Sequence, residues 1–128
     1  MRLLLDTHAF VWYVDQDHLL TAAAHAAITD SSNDLLLSAA TIWEIAIKVS
    51  LAKLSLAMPY RQWMLRAMAD LGVIVLPITV EYAEVQSGLP KHHRDPFDRL
   101  LAAQAQVENT QIVSNDSIFE QYGIARLW

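Results

Sequence analysis

Residues 2–14 read Arg2-Leu3-Leu4-Leu5-Asp6-Thr7-His8-Ala9-Phe10-Val11-Trp12-Tyr13-Val14, and this stretch decides the fold. Leu3-Leu4-Leu5 is a continuous apolar run with no alternation, the pattern of a short strand buried on both faces. Asp6 and Thr7 both suit a helix N-cap, and residues 7–14 are apolar and compatible with a helix. The order strand, acid, helix is the first step of an α/β unit. It recurs outward along the chain. Leu35 to Ser38 reads as a second strand, followed by a helix over Ala40 to about Leu51. Val73 to Leu76 reads as a third, 111–114 as a fourth and 124–127 as a last strand. Alternating strands and helices predict a parallel sheet covered by helices on both faces.

The punctuation agrees with that reading. Thr21 is a candidate cap for a helix through about Ile28, and Asp30 to Asp34 is a polar turn. Pro59 suits the start of a helix over 59–70, in which Trp63, Met64, Ala67, Met68 and Leu71 keep helical spacing, with Gly72 as its stop. Thr79 is placed to cap a helix to about Ser87, with Gly88 after it. Residues 89–95 form a basic loop, 96–107 a helix, and 117–122 a short helix. No repeat, low-complexity tract or linker divides the chain, so residues 1–128 read as one domain.

Four acids fall where strands give way to helices: Asp6, Glu44, Asp98 and Asp116. In an open parallel sheet the carboxyl ends of the strands form one ligand-binding edge. Carboxylates gathered there repel each other unless a cation joins them, and hard oxygen donors suit Mg²⁺ or Mn²⁺. Each acid also has a plainer role. Asp6 and Asp116 are placed to cap helices. Thr41 with Glu44 resembles a capping box, and Glu44 with Lys48 forms a favourable i,i+4 pair. Asp95, before Pro96, suits an N-cap better than a ligand, and leaves Asp98 in the first helical turn, where the helix dipole favours its charge. Glu44 sits among Trp43, Ile45, Ala46 and Ile47, so its helix is apolar nearly all round and the carboxylate needs a partner or a metal.

The composition bounds the rest. Cysteine is absent, which excludes disulfides and thiolate chemistry and suits a cytoplasmic protein. No apolar run approaches the ~20 residues of a membrane span, and Asp6 interrupts the first apolar run before a signal peptide develops. The net charge of −5 runs against nucleic-acid binding. The clustered acids supply much of that charge, and Lys91, His92, His93, Arg94 and Arg99 gather basic groups beside them. His92-His93 lacks a third soft ligand at zinc spacing, so these histidines read as surface or phosphate-contacting groups. His8 is placed to reach the site as a neighbour of Asp6. P-loop, dinucleotide and serine-nucleophile motifs are absent. The chain is 54% hydrophobic, high for a soluble domain, which points to surface covered by a partner or a second copy. Trp12, Tyr13, Trp43 and Trp63 are the candidates, with core packing the plainer role for most of them.

Four segments together resemble the PIN-domain family, in particular the VapC-type toxins of bacterial toxin–antitoxin pairs. They are Leu4-Leu5-Asp6-Thr7-His8 followed by Trp12; Ser38 to Lys48 around Trp43-Glu44-Ile45; His92 to Ala105; and Ser114-Asn115-Asp116 with Phe119 and Tyr122. Ser114 stands where threonine is common, and Ala52 where glycine is common. The resemblance implies a PIN-like α/β/α sandwich with a mainly parallel sheet of four to five strands. It implies a ribonuclease dependent on Mg²⁺ or Mn²⁺, with Asp6, Glu44, Asp98 and Asp116 as the catalytic and metal-holding acids. Thr7, Asp95 and Ser114 would support them, and Lys91, Arg94 and Arg99 would contact RNA phosphates. A small antitoxin protein and a homodimer are the implied partners. Two other readings stay open: a stand-alone PIN nuclease, and a binding module whose acids only cap helices. A phosphoaspartyl receiver lacks its acidic pair and its lysine here.

Overall fold

The computed structural model describes residues Met1–Trp128. In chain order the elements are β1 (Arg2–Leu5), α1 (Thr7–Val14), α2 (Ala22–Thr29), β2 (Asp34–Ser38), α3 (Ala39–Ser50), α4 (Tyr60–Leu71), β3 (Ile74–Leu76), α5 (Val80–Gly88), α6 (Pro96–Glu108), β4 (Gln111–Val113), α7 (Ile118–Gln121) and β5 (Arg126–Leu127). The five strands form one sheet in the order β3-β2-β1-β4-β5, and every pairing is parallel.

Leu3-Leu4-Leu5 explains why both faces must be covered. Successive strand side chains point to opposite faces. Leu3 and Leu5 enter one core with Leu35, Leu37 and Val113, under Phe10, Ile45, Trp63 and Met64 from α1, α3 and α4. Leu4 enters the other with Leu36 and Ile112, under Leu101, Ala102 and Ala105 of α6 and Phe119 of α7. All three leucines are fully buried, and at about 1.5–3 kcal/mol for each buried leucine the pair of layers is strongly favoured over an open sheet.

The topology fixes where a ligand can sit. The chain steps outward from β1 through β2 to β3, then returns across the sheet to β4 on the other side of β1. The gap between the carboxyl ends of β1 and β4 is therefore the switch point, where the crossover helices diverge to opposite faces. The Asp6 N–H donates to the Val113 carbonyl at 3.1 Å, which closes the sheet at that point.

Most expected caps are formed. Thr21 accepts from Ala24 N–H at 3.1 Å, Thr79 from Tyr82 N–H at 3.2 Å, and Asp95 from Phe97 N–H at 2.9 Å. Gly72 ends α4 with φ 61°, a left-handed conformation that glycine adopts without strain. One expectation fails. Thr41 and Glu44 do not form a capping box, because α3 starts at Ala39 with Ser38 as its cap, which puts Thr41 inside the helix.

Candidate metal centre at the sheet switch point

Asp6 follows β1 directly. Its Oδ1 accepts from Ala9 N–H at 2.7 Å, so it caps α1 while lying 5% exposed at the switch point. Burial pushes its carboxyl up, and Glu44 adds to that, whereas the Ser114 hydroxyl, Ala9 N–H and His8 act against it. Asp116 is reached from β4 through Ser114, whose Oγ accepts from Asp116 N–H at 3.0 Å. Asp116 Oδ1 in turn accepts from Ile118 N–H at 3.0 Å. The expectation that Asp116 caps α7 is not met: Ser117 is the N-cap, and Asp116 makes only this two-residue turn before it, whereas Asp6 does cap α1.

Glu44 and Asp98 cap nothing. Glu44 is buried, as the apolar surroundings of its helix require. Its Oε1 accepts from the Thr7 hydroxyl at 2.6 Å, and its Oε2 meets Lys48 Nζ at 2.9 Å. Thr7 thus ties α1 to α3 across the site. Asp98 stands in the first turn of α6, and Pro96 and the Asp95 cap set its direction. Burial first, then the negative charges of Asp95, Glu44 and Asp6, push the Asp98 carboxyl up to about 7, against the pull of His93. The effect shows that Asp6, Glu44 and Asp98 feel one another across a common space.

His93 completes the cluster, whereas the sequence reads it as a surface or phosphate-contacting group. Its Nε2 lies 3.0 Å from Asp98 Oδ2 and 3.7 Å from Asp116 Oδ2. The ligating atoms of His93, Asp98 and Asp116 all fall within 4.8 Å of one another. Its Nδ1 accepts from Asp95 N–H at 3.0 Å. A neutral imidazole has only one acceptor nitrogen, so this hydrogen bond puts the proton on Nε2. In this arrangement the Nε2 side of His93 faces the Asp98 and Asp116 carboxylates, while Nδ1 is occupied by Asp95 N–H. The sequence signal for it was its place two residues before the Asp95 cap, on the strand-edge side of α6. The loop is held from the other side by Tyr122, whose hydroxyl accepts from His93 N–H at 3.0 Å.

Arg99 departs from expectation. It is 8% exposed, and its guanidinium donates to the carbonyls of Gln86, Leu89 and Pro90 at 2.9, 3.3 and 3.0 Å. Those carbonyls lie in the last turn of α5 and just beyond it; the Gln86 carbonyl also accepts from Leu89 N–H at 3.3 Å, and those of Leu89 and Pro90 lie past the helix end. Arg99 therefore fastens the loop before α6 and is spent on it, so it is not available to an RNA phosphate. Lys91 and Arg94 stay exposed on that loop. Of the tryptophans, Trp63 is core and Trp43 is 63% exposed, while Trp12 and Tyr13 line a groove of about 780 Å³ between α1, α2 and α4.

The donor set fits a hard divalent cation. The atoms that gather within 4.8 Å are the carboxylates of Asp98 and Asp116 and a nitrogen of His93; Asp6 and Glu44 stand outside that group, and their charges, with burial, help lift the Asp98 carboxyl. A parallel five-stranded α/β sandwich with such a cluster at its switch point is the architecture of a small acid-centred hydrolytic domain. The chain belongs to the PIN domain family, whose model matches residues 3–125. It is 31% identical over 114 residues, 88% of this chain and 85% of the other, to Ribonuclease VapC22 of Mycobacterium tuberculosis. Two solved structures share the fold. VapBC2 from Rickettsia felis bound to a DNA fragment from their promoter superposes with a TM-score of 0.66 at 18% identity, over 98% of this chain and 97% of that one. FitAcB from Neisseria gonorrhoeae gives 0.66 at 18% identity, over 97% and 95%.

Proposed function

We propose that residues 1–128 act as a single cytoplasmic domain, a Mg²⁺- or Mn²⁺-dependent endoribonuclease that serves as the toxin of a toxin–antitoxin pair. The observation that carries the reading is the convergence of Asp98 and Asp116 on one point with the charges of Asp6 and Glu44 behind them. Local backbone bonds account for one oxygen each of Asp6 and Asp116, and Thr7 and Lys48 account for Glu44, but Asp98 is set among like charges with no capping role, which weighs against a pure binding module. The ribonuclease relative supports the activity, and the antitoxin complexes among the structural neighbours support the partner.

Asp6, Asp98 and Asp116 would hold the cation, with Glu44 completing the set. The cation supplies neutralisation of the phosphodiester and activation of water for its hydrolysis. This chain's residues do the rest. Thr7 and Lys48 fix Glu44 in one orientation. Ser114 and Asp95 hold Asp116 and His93 in place through Asp116 N–H and Asp95 N–H. His93 Nε2–H is positioned to donate to a phosphate oxygen when a cation takes over the carboxylates. Lys91 and Arg94 are placed to meet flanking phosphates.

The groove between α1, α2 and α4, where Trp12, Tyr13, Leu20 and Leu71 stand beside Asp17 and Asp70, suits an amphipathic helix of an antitoxin. Exposed Ile74, Val75, Ile78 and Val80 beside the free edge of β3 offer apolar surface for a homodimer. Light scattering checks the latter: a strict monomer at high micromolar concentration refutes it. For the activity, RNA ends are sequenced after induction of the wild type and of Asp6→Asn. Asparagine keeps the helix cap, so the variant isolates the charge. New ends in the wild type alone support the nuclease, and identical profiles overturn it.

A further inference from the structure

Next to the acids lies a second recess, of about 270 Å³, walled by Thr7, His8, Trp12, Lys48, Lys53 and Leu54 among others. It is small for a drug-sized ligand and suits one planar ring system. One wall is aromatic. His8 and Trp12 stack with centroids 5.3 Å apart and planes 25° from parallel, and His8 is exposed to solvent. The other wall is cationic. Lys48 is committed to Glu44 at 2.9 Å, whereas Lys53 takes part in none of the chain's ion pairs.

The placement of Lys53 is enforced. Ala52 adopts φ 56°, a left-handed conformation disfavoured for any residue with a β-carbon. That turn lets Lys53 N–H donate to the Lys48 carbonyl at 2.9 Å, folding the second lysine back beside the first. With Ala52 N–H donating to the Val49 carbonyl at 3.1 Å, the pair of bonds closes α3 as a Schellman motif and sets Lys53 at the edge of the recess. The recess is also continuous with the acidic centre. Thr7 and Lys48 both contact Glu44, and the charge of His8 acts on Asp6.

We propose that this recess is a nucleotide subsite of the nuclease: a base adjoining the scissile phosphate stacks against the His8–Trp12 wall while Lys53 holds that nucleotide's phosphate. The proposal rests on the ribonuclease reading and goes further by naming where a flanking nucleotide sits. Lys53, the lysine at this recess without an acidic partner, favours a phosphate over the basic or apolar side chain of a protein. Base stacking tolerates any base, so the subsite supplies grip and register and leaves sequence choice to other contacts.

The test uses full-length Asp98→Asn protein in EDTA, which cannot turn over RNA, and a labelled random-sequence octaribonucleotide. Trp12→Leu on that background is expected to weaken binding about tenfold, with Trp12→Phe recovering most of it. Lys53→Ala, an exposed change that leaves folding alone, is expected to flatten the slope of log affinity against log salt by about 0.7, the effect of one phosphate contact on a single strand. In NMR titrations the Trp12 indole and His8 ring signals should move with RNA. Unchanged affinity and slope in both variants, with wild-type cleavage intact, overturn the subsite and leave the nuclease standing. Failure of the wild-type protein to cleave RNA with metal present overturns both. Loss of a co-purified protein partner with RNA affinity unchanged assigns the recess to that partner and overturns the proposal.

Discussion

Replacing Asp98 by asparagine should stabilise the metal-free protein at pH 8. The folded carboxyl ionises at about 7, against an ordinary 3.8, because burial and the charges of Asp95, Glu44 and Asp6 outweigh His93. That displacement corresponds to about 4 kcal/mol against the ionised form. The amide keeps the size and removes the charge, and forfeits about 0.3–1 kcal/mol of attraction to the start of α6. The expected gain is about 3 kcal/mol at pH 8. The sign follows from proton binding. With the folded value raised, the native state binds more protons than the unfolded chain between about pH 4 and 7, so wild-type stability falls as pH rises through that window. At pH 5 the variant's advantage should shrink to about 1 kcal/mol. The raised carboxyl of Asp6 steepens the wild-type trend in the same direction. Urea unfolding in EDTA at the two pH values measures both quantities. An Asp98→Asn protein no more stable than wild type at pH 8 would mean that His93 and the helix terminus hold Asp98 as an anion, and the reasoning fails.

Mn²⁺ titration by calorimetry should lose at least tenfold in affinity with Asp98→Asn and change less than about threefold with His93→Ala, since His93 spends its acceptor nitrogen on Asp95 N–H; an equal loss in both makes His93 a ligand. Asp95→Ser should keep the α6 cap, hold stability within about 0.5 kcal/mol and retain most cleavage, and loss of cleavage with an intact fold would promote Asp95 to the metal site. Arg99→Ala should cost about 2–3 kcal/mol in denaturant unfolding, because it removes three hydrogen bonds and orphans the carbonyls of Leu89 and Pro90, yet leave the salt dependence of RNA binding unchanged. Ala52→Gly should raise the melting temperature slightly, by up to about 1 kcal/mol of relieved left-handed strain.

The sheet was legible because its strands are short apolar runs closed by acids, caps and glycines. Each of those signals is local, so β1, β2 and the helices they lead into could be placed from Leu3-Leu4-Leu5-Asp6 and Leu35-Leu36-Leu37-Ser38 alone. The five strands and their parallel sense followed from the alternation. What the sequence could not reveal depends on the third dimension. Thr41 and Glu44 have the spacing of a capping box, but Ser38 takes the cap one turn earlier. Arg99 looks like any basic residue beside a site, and only the path of residues 86–90 around its guanidinium shows it to be buried. His93 enters the cluster because Tyr122 and Asp95 hold its loop from two sides, contacts 29 and 2 residues away in sequence.

Trp12 stands in the walls of both recesses, the groove between α1, α2 and α4 and the slot beside Lys53. Under the two proposals, with an inhibitor's helix in one and a nucleotide in the other, a single indole would serve restraint and attack alike. A chain that altered Trp12 to slip its inhibitor would blunt its own grip on RNA by the same change. Escape from the partner should therefore arise at Tyr13, Leu20 or Leu71, which line the groove alone, and selection for unrestrained toxicity should leave Trp12 untouched.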